Sequence, residues 1–170
     1  MQRKLATLLP LLGLPIFLAG AIFICYMILR PIPYGPLQSA ASRGDLDAVK
    51  SLIGSGTPID ERCAFRNWTA LHAAVARGQF ETAQYLIDHG ANLELKDESG
   101  FTPLALAGCD SNYRQHSKDT EFGRNEIGTL LIKRGANVNA TTNDGETPRG
   151  CAADGDDQGL AKIILDAGGH

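Results

Sequence analysis

Four histidines and four cysteines are the side chains of this 170-residue sequence best suited to hold a metal or act as nucleophiles. Cys109, Asp110 and His116 fall close together. A zinc site needs ligands in fixed tetrahedral geometry, and the Cys-x6-His spacing here fits no zinc pattern. Asp154, Asp156 and Asp157, with Gly155 and Gly159, sketch a calcium loop. The EF-hand loop closes on a glutamate at its twelfth position, and counting from Asp154 that position is Leu165. The acidic run therefore reads as a solvated, helix-capping turn. Cys63, Cys109 and Cys151 lie in the body of the chain, an odd number without a C-x-x-C pair. One disulfide among them can form in an oxidising compartment, and Cys151 fits equally well as a small buried residue. No G-x-S-x-G, H-E-x-x-H, Walker A or dinucleotide fingerprint is present. These residues predict no catalytic centre, no bound metal and no cofactor, and the chain reads as a non-enzyme.

The elements that must carry these residues repeat. Thr69-Ala70-Leu71-His72 returns as Thr102-Pro103-Leu104-Ala105 and again as Thr147-Pro148-Arg149-Gly150. Gly90-Ala91-Asn92-Leu93 returns as Gly135-Ala136-Asn137-Val138, with weaker copies at Gly56 and Gly168. The spacing is 33 residues from Thr69 to Thr102, 34 from Gly56 to Gly90 and 33 from Gly135 to Gly168. A fixed period of this size marks stacked units, none of which buries both its faces alone. Each unit reads as a turn, a short helix, a turn, a second helix and a loop. Thr is placed to cap the first helix, and Pro after it fits the first helical position, which needs no donor. Asp45 is placed to cap the next helix, whose stripe is Leu46, Val49, Leu52 and Ile53. Gly44, Gly78 and Gly123 suit first-helix ends with positive φ, as Gly56, Gly90, Gly135 and Gly168 suit second-helix ends. The units fall at about 36–60, 69–94, 102–139 and 147–170. Gly90 to Gly135 is 45 residues, 12 beyond the period, and the excess lies at 108–122 as a loop or an extension of helix ends. In the last unit Arg149 replaces the leucine of the phrase and Asp156 the glycine, as expected of a unit with one face in water.

These phrases resemble the ankyrin repeat over residues 35–170. The resemblance implies an all-α solenoid of about four helix-turn-helix units. It also implies a protein partner, taken by the turn tips between units and by the concave face that the first helices line. In that family the histidine of the phrase, here His72, is a structural hydrogen-bonding residue. Carried onto this sequence, the tips are residues 62–68, 96–101 and 141–146. Aromatic and arginine side chains dominate binding hot spots. The candidates at the tips are therefore Arg62, Phe65, Arg66, Trp68, Lys96 and Phe101. Trp68 has a competing reading, packed against the next finger. Tyr113 and Arg114, with Phe122, make the insertion a second candidate surface.

Ahead of the repeats, residues 5–29 form an uncharged run of 25, rich in Leu, Ile, Phe and Ala. As a helix it would reach ~37 Å, enough to cross a hydrocarbon core with some tilt. It predicts a single transmembrane helix within an anchor at 1–30, followed by a Pro-rich linker at 31–36. A cleaved signal peptide competes with this, because Ala19-Gly20-Ala21 has the form of a cleavage site. Arg3 and Lys4 before the run, against Arg30 after it, lean towards an extracytoplasmic, periplasmic placement of the repeats. The layout of one anchor and four units points to a bacterial source. Beyond residue 34 stand 13 basic and 19 acidic residues, a formal charge of −6. An acidic domain without a basic stripe argues against nucleic acid. The sequence thus predicts a membrane-anchored protein-interaction module with no small-molecule substrate. A structural subunit acting through its span is the alternative, with Gly13 and Gly20 on similar faces of that helix. A thiol- or metal-dependent enzyme is a third reading.

Overall fold

A computed structural model describes residues 34–109, 118–154 and 158–170. The expected anchor at 5–29 lies outside the described residues, and so do the first half of the linker, Tyr113, Arg114 and His116. Among the described residues no helix is long and apolar enough to cross a membrane.

Eight helices and no strand make up the described part. They are α1 (Pro36–Arg43), α2 (Leu46–Gly54), α3 (Ala70–Ala76), α4 (Phe80–Asp88), α5 (Pro103–Gly108), α6 (Lys118–Lys133), α7 (Pro148–Asp154) and α8 (Gln158–Asp166). Local chemistry sets the starts. Pro36 opens α1 and Pro103 opens α5, each at a position whose N–H has no helical partner. Asp45 accepts the Ala48 N–H at 3.0 Å, and Thr102 accepts the Ala105 N–H at 3.3 Å. Thr147 does the same for Gly150 at 3.3 Å. Glycines in the left-handed region follow α1 at Gly44 and α3 at Gly78, where a side chain would be strained.

The helices stack in two rows. First helices pack on first helices, α1 on α3, α3 on α5 and α5 on α7. Second helices do likewise, α2 on α4, α4 on α6 and α6 on α8. The rows meet in one apolar core that includes Leu37, Val49, Leu71, Leu86, Leu104, Ile127, Leu131, Leu160 and Ile164. Small residues set the spacing. A Cβ on Gly108 would lie 3.0 Å from both the Cβ and the N of Ala152, so α5 and α7 approach almost backbone to backbone.

Two expectations change here. Gly123 aligns with Gly78 in sequence but ends no helix. It sits inside α6, without positive φ, and a Cβ there would collide with the Gly78 carbonyl oxygen. Its small size admits the neighbouring turn; left-handed freedom is not used. The insertion also divides: residues 118–122 extend the second helix of its unit at the N-terminal end, while 110–117 lie outside the described residues.

Candidate protein-interaction surface

The turns between units form three adjacent fingers whose tips are tied by backbone hydrogen bonds. Glu98 N donates to Arg66 O at 3.0 Å, and Asn143 N donates to Ser99 O at 3.1 Å. Each tip is closed by its own turn. Trp68 N donates to Phe65 O, Gly100 N to Asp97 O and Gly145 N to Thr142 O, each at 3.1 Å. The second and third tips use Gly100 (φ 85) and Gly145 (φ 85) for the left-handed position. The first tip instead holds Arg66 at φ 53 and Asn67 at φ 59. Two successive left-handed residues with side chains are costly, on the order of 1–2 kcal/mol each for most residues and less for Asn.

The structure places the sequence-derived candidates unequally. Arg62 is exposed, and its Nη1 donates to Lys96 O at 2.8 Å. Lys96 is exposed too, and its Nζ reaches one finger further, to Thr141 O at 2.7 Å. These two cations run as a chain along the row of tips. Phe65 is half-buried, its ring 5.5 Å edge-on from Trp68 and 4.9 Å from Tyr34. Arg66 is half-buried as well and lies over the Phe65 ring at 5.6 Å. Phe101 is half-buried, and its carbonyl faces His72 Nε2 at 3.1 Å.

Trp68 resolves to the packed reading. It is 2% exposed, and its Nε1 donates to Asp97 Oδ2 at 3.2 Å. A ring held in the core between two fingers offers no surface to a partner. The concave face narrows for a related reason. Every residue of α3 from Ala70 to Val75 and every residue of α5 is buried. The first helices of the two central units carry mostly Ala, Pro and Gly, so they present no side chain for recognition. Between the outer first helices this leaves the row of tips, with Phe122 at 66% exposure on α6 at the end of the insertion.

His72 takes the structural role that the resemblance implied. Its Nε2 faces the Phe101 carbonyl oxygen, an acceptor, so Nε2 carries the proton. Nδ1 is then an acceptor, facing Thr69 N at 3.3 Å and Thr69 Oγ1 at 2.9 Å. Burial lowers its pKa below the ordinary 6.5, keeping the ring neutral. His89 stacks on Tyr85 at 3.8 Å and hydrogen-bonds to its own helix through Tyr85 O. Among the described residues no group of three or more His, Cys, Asp and Glu is placed to hold a metal ion.

A ladder of side chains at the loop bases was missed from sequence. Asp60 accepts the Asn92 N–H at 3.0 Å, Glu94 the Asn137 N–H at 2.8 Å and Asn139 the His170 N–H at 3.0 Å. Asp60, Glu94 and Asn139 stand 34 and 45 residues apart, the spacing of the units themselves, which is the signal that marks them.

Known proteins agree with this architecture. Residues 37–116 match the family described as Ankyrin repeats (3 copies). Human protein phosphatase 1 regulatory subunit 27 is 37% identical over 106 residues, covering 62% of this chain and 61% of that protein. Human ankyrin repeat and SOCS box protein 16 is 34% identical over 119 residues, covering 69% of this chain and 23% of that protein. The inhibitor of Bruton tyrosine kinase from Xenopus laevis is 38% identical over 68 residues, 39% of this chain and 5% of that protein. The chain thus spans less than two thirds of each of these relatives. It is an ankyrin-repeat protein, and its repeats imply protein–protein interaction.

Proposed function

We propose that this chain is a membrane-anchored adaptor that binds a protein partner along its fingertips, with the first tip as the anchor point. The observation that carries this reading is the left-handed pair Arg66 and Asn67. Glycine would adopt the same backbone without strain, as it does at the other two tips. Strain retained in this way concentrates at functional positions. It keeps an arginine and an amide at the end of a finger that Arg62 and Lys96 tie to its neighbours. Such a pre-ordered surface loses little freedom on binding. Tyr113 and Arg114 extend the proposed surface into the insertion.

The partner is proposed to be an enzyme or other protein that the adaptor regulates. Two relatives are named as a regulatory subunit and an inhibitor, which supports this class. The uncharged run at 5–29 supports the anchor, and the charges beside it support an extracytoplasmic, periplasmic side. The layout of one anchor and four units supports a bacterial envelope as its setting.

The test is co-purification from detergent extracts, comparing wild type with Arg66→Gly/Asn67→Gly. Glycines preserve the turn and remove only its side chains. Loss of a partner from a variant that folds as stably as wild type supports the tip. Equal recovery of the partner by both proteins removes it.

A further inference from the structure

We propose that Cys109 and Cys151 form a redox modification site, a dithiol that closes into a disulfide joining the third unit to the fourth. Cys109 caps the C-terminal end of α5, and Cys151 lies within α7, the helix packed against α5. The residue before Cys109 and the residue after Cys151 are nearly in contact. A Cβ on Gly108 would lie 3.0 Å from Ala152 N and 3.0 Å from Pro148 O. Both cysteines are buried, and neither is in a disulfide. Cys151 Sγ donates to Glu146 Oε2 at 3.7 Å and is in hydrogen-bonding contact with the Cys109 thiol. The third cysteine of the domain is engaged elsewhere, because Cys63 Sγ donates to Phe65 O at 3.2 Å within its own turn. The three cysteines of the repeat region thus become one facing pair and one thiol held in a fingertip.

The pair is also shaped for a particular order of events. The hydrogen bond to Cys109, burial and the Glu146 carboxylate together push the Cys151 thiol above its ordinary range. Cys151 therefore stays protonated and is the second sulfur to react. Cys109, the more accessible at 6% against 2%, exchanges first with a small external disulfide such as oxidised glutathione. Its thiolate attacks one sulfur of that disulfide, the external S–S bond breaks and one glutathione leaves as a thiolate. Cys151 then passes its proton to Glu146 and attacks the Cys109 sulfur. The mixed disulfide breaks and the second glutathione leaves. Two protein thiols and one glutathione disulfide become one protein disulfide and two reduced glutathiones. The new bond encloses α6 and the third finger in a covalent loop, which restricts the unfolded chain.

The experiment uses the full chain in detergent, incubated with oxidised glutathione and mapped by mass spectrometry without reduction. The expected product has lost two hydrogen atoms and yields one peptide pair joined through Cys109 and Cys151. Its melting temperature rises by roughly 5 °C, and a thiol reductant reverses the gain. Cys63→Ala closes as wild type does. Cys151→Ala stops at a glutathione adduct on Cys109. The proposal is overturned if a bridge forms through Cys63 instead. It is equally overturned if Cys109 and Cys151 of folded wild type stay fully alkylatable after the incubation, a readout that needs no variant.

Discussion

Trp68 donates its indole N–H to Asp97 Oδ2 at 3.2 Å, and that buried bond locks the first finger to the second. The other Asp97 oxygen accepts the N–H groups of Ser99 and Phe101, each at 2.9 Å. One carboxylate therefore shapes its own turn and holds its neighbour. Asp97→Ala strands three donors at a site only 5% exposed, and we expect a loss of about 2–4 kcal/mol. Trp68→Phe keeps the ring contacts with Phe65 and Tyr34, strands one oxygen, and should cost about 1–3 kcal/mol. Urea midpoints of both variants and of the double variant measure the coupling. A double variant no less stable than Asp97→Ala alone is expected, because the bond is lost once.

Acid should weaken the stack through His72. The folded state holds this ring neutral, with its pKa below the unfolded value of 6.5, because burial opposes the charge. The unfolded chain thus binds the proton more readily. The stabilising contribution is complete above pH 6.5 and is lost as pH falls below it and through the folded value. Denaturation followed by circular dichroism across this range should show stability falling with pH in wild type. A His72→Gln variant should start less stable and lose this part of the slope. Parallel slopes in the two proteins would remove His72 as the cause.

Two glycines inside helices make opposite predictions. Gly123→Ala drives a methyl into the Gly78 carbonyl oxygen, a backbone atom that cannot turn aside. The helix must shift, at about 1–3 kcal/mol. Gly54, the last residue of α2, has nothing within 4 Å of its added Cβ. Gly54→Ala should gain about 0.5 kcal/mol by restricting the unfolded chain. Melting curves for the pair decide whether close approach is what Gly123 provides.

The first fingertip should respond to glycine in the reverse of the usual direction. Asn67→Gly relieves a left-handed residue, and stability should stay level or rise by up to about 1 kcal/mol. Thermal unfolding of this variant tests the strain separately from any partner. A clear loss of stability would show that the Asn67 side chain is structural.

Much of the fold was legible because it is written in short-range chemistry. Thr69, Thr102 and Thr147 cap helices with their own side chains, Asp45 caps α2, and Gly44 and Gly78 take the left-handed backbone that follows a helix. Such features need only a few neighbouring residues, so a repeating sequence displays them repeatedly. The loop-base ladder of Asp60, Glu94 and Asn139 was equally periodic, yet each acceptor has its partner one unit away. Polar side chains at exposed or half-buried positions carry no apolar pattern that would draw attention to them.

By itself, the sequence determined the stacked helical units of the repeat fold, since periodicity and capping are properties of local segments. Only the tertiary structure decided what those units bring together. It buried Trp68 on Asp97, gave Gly123 a neighbouring carbonyl to admit, emptied the central first helices of exposed side chains, and set Cys109 facing Cys151. The physical reason is common to all four. Each depends on how far apart two units stand once their small residues have packed, and that distance belongs to no single segment of the chain.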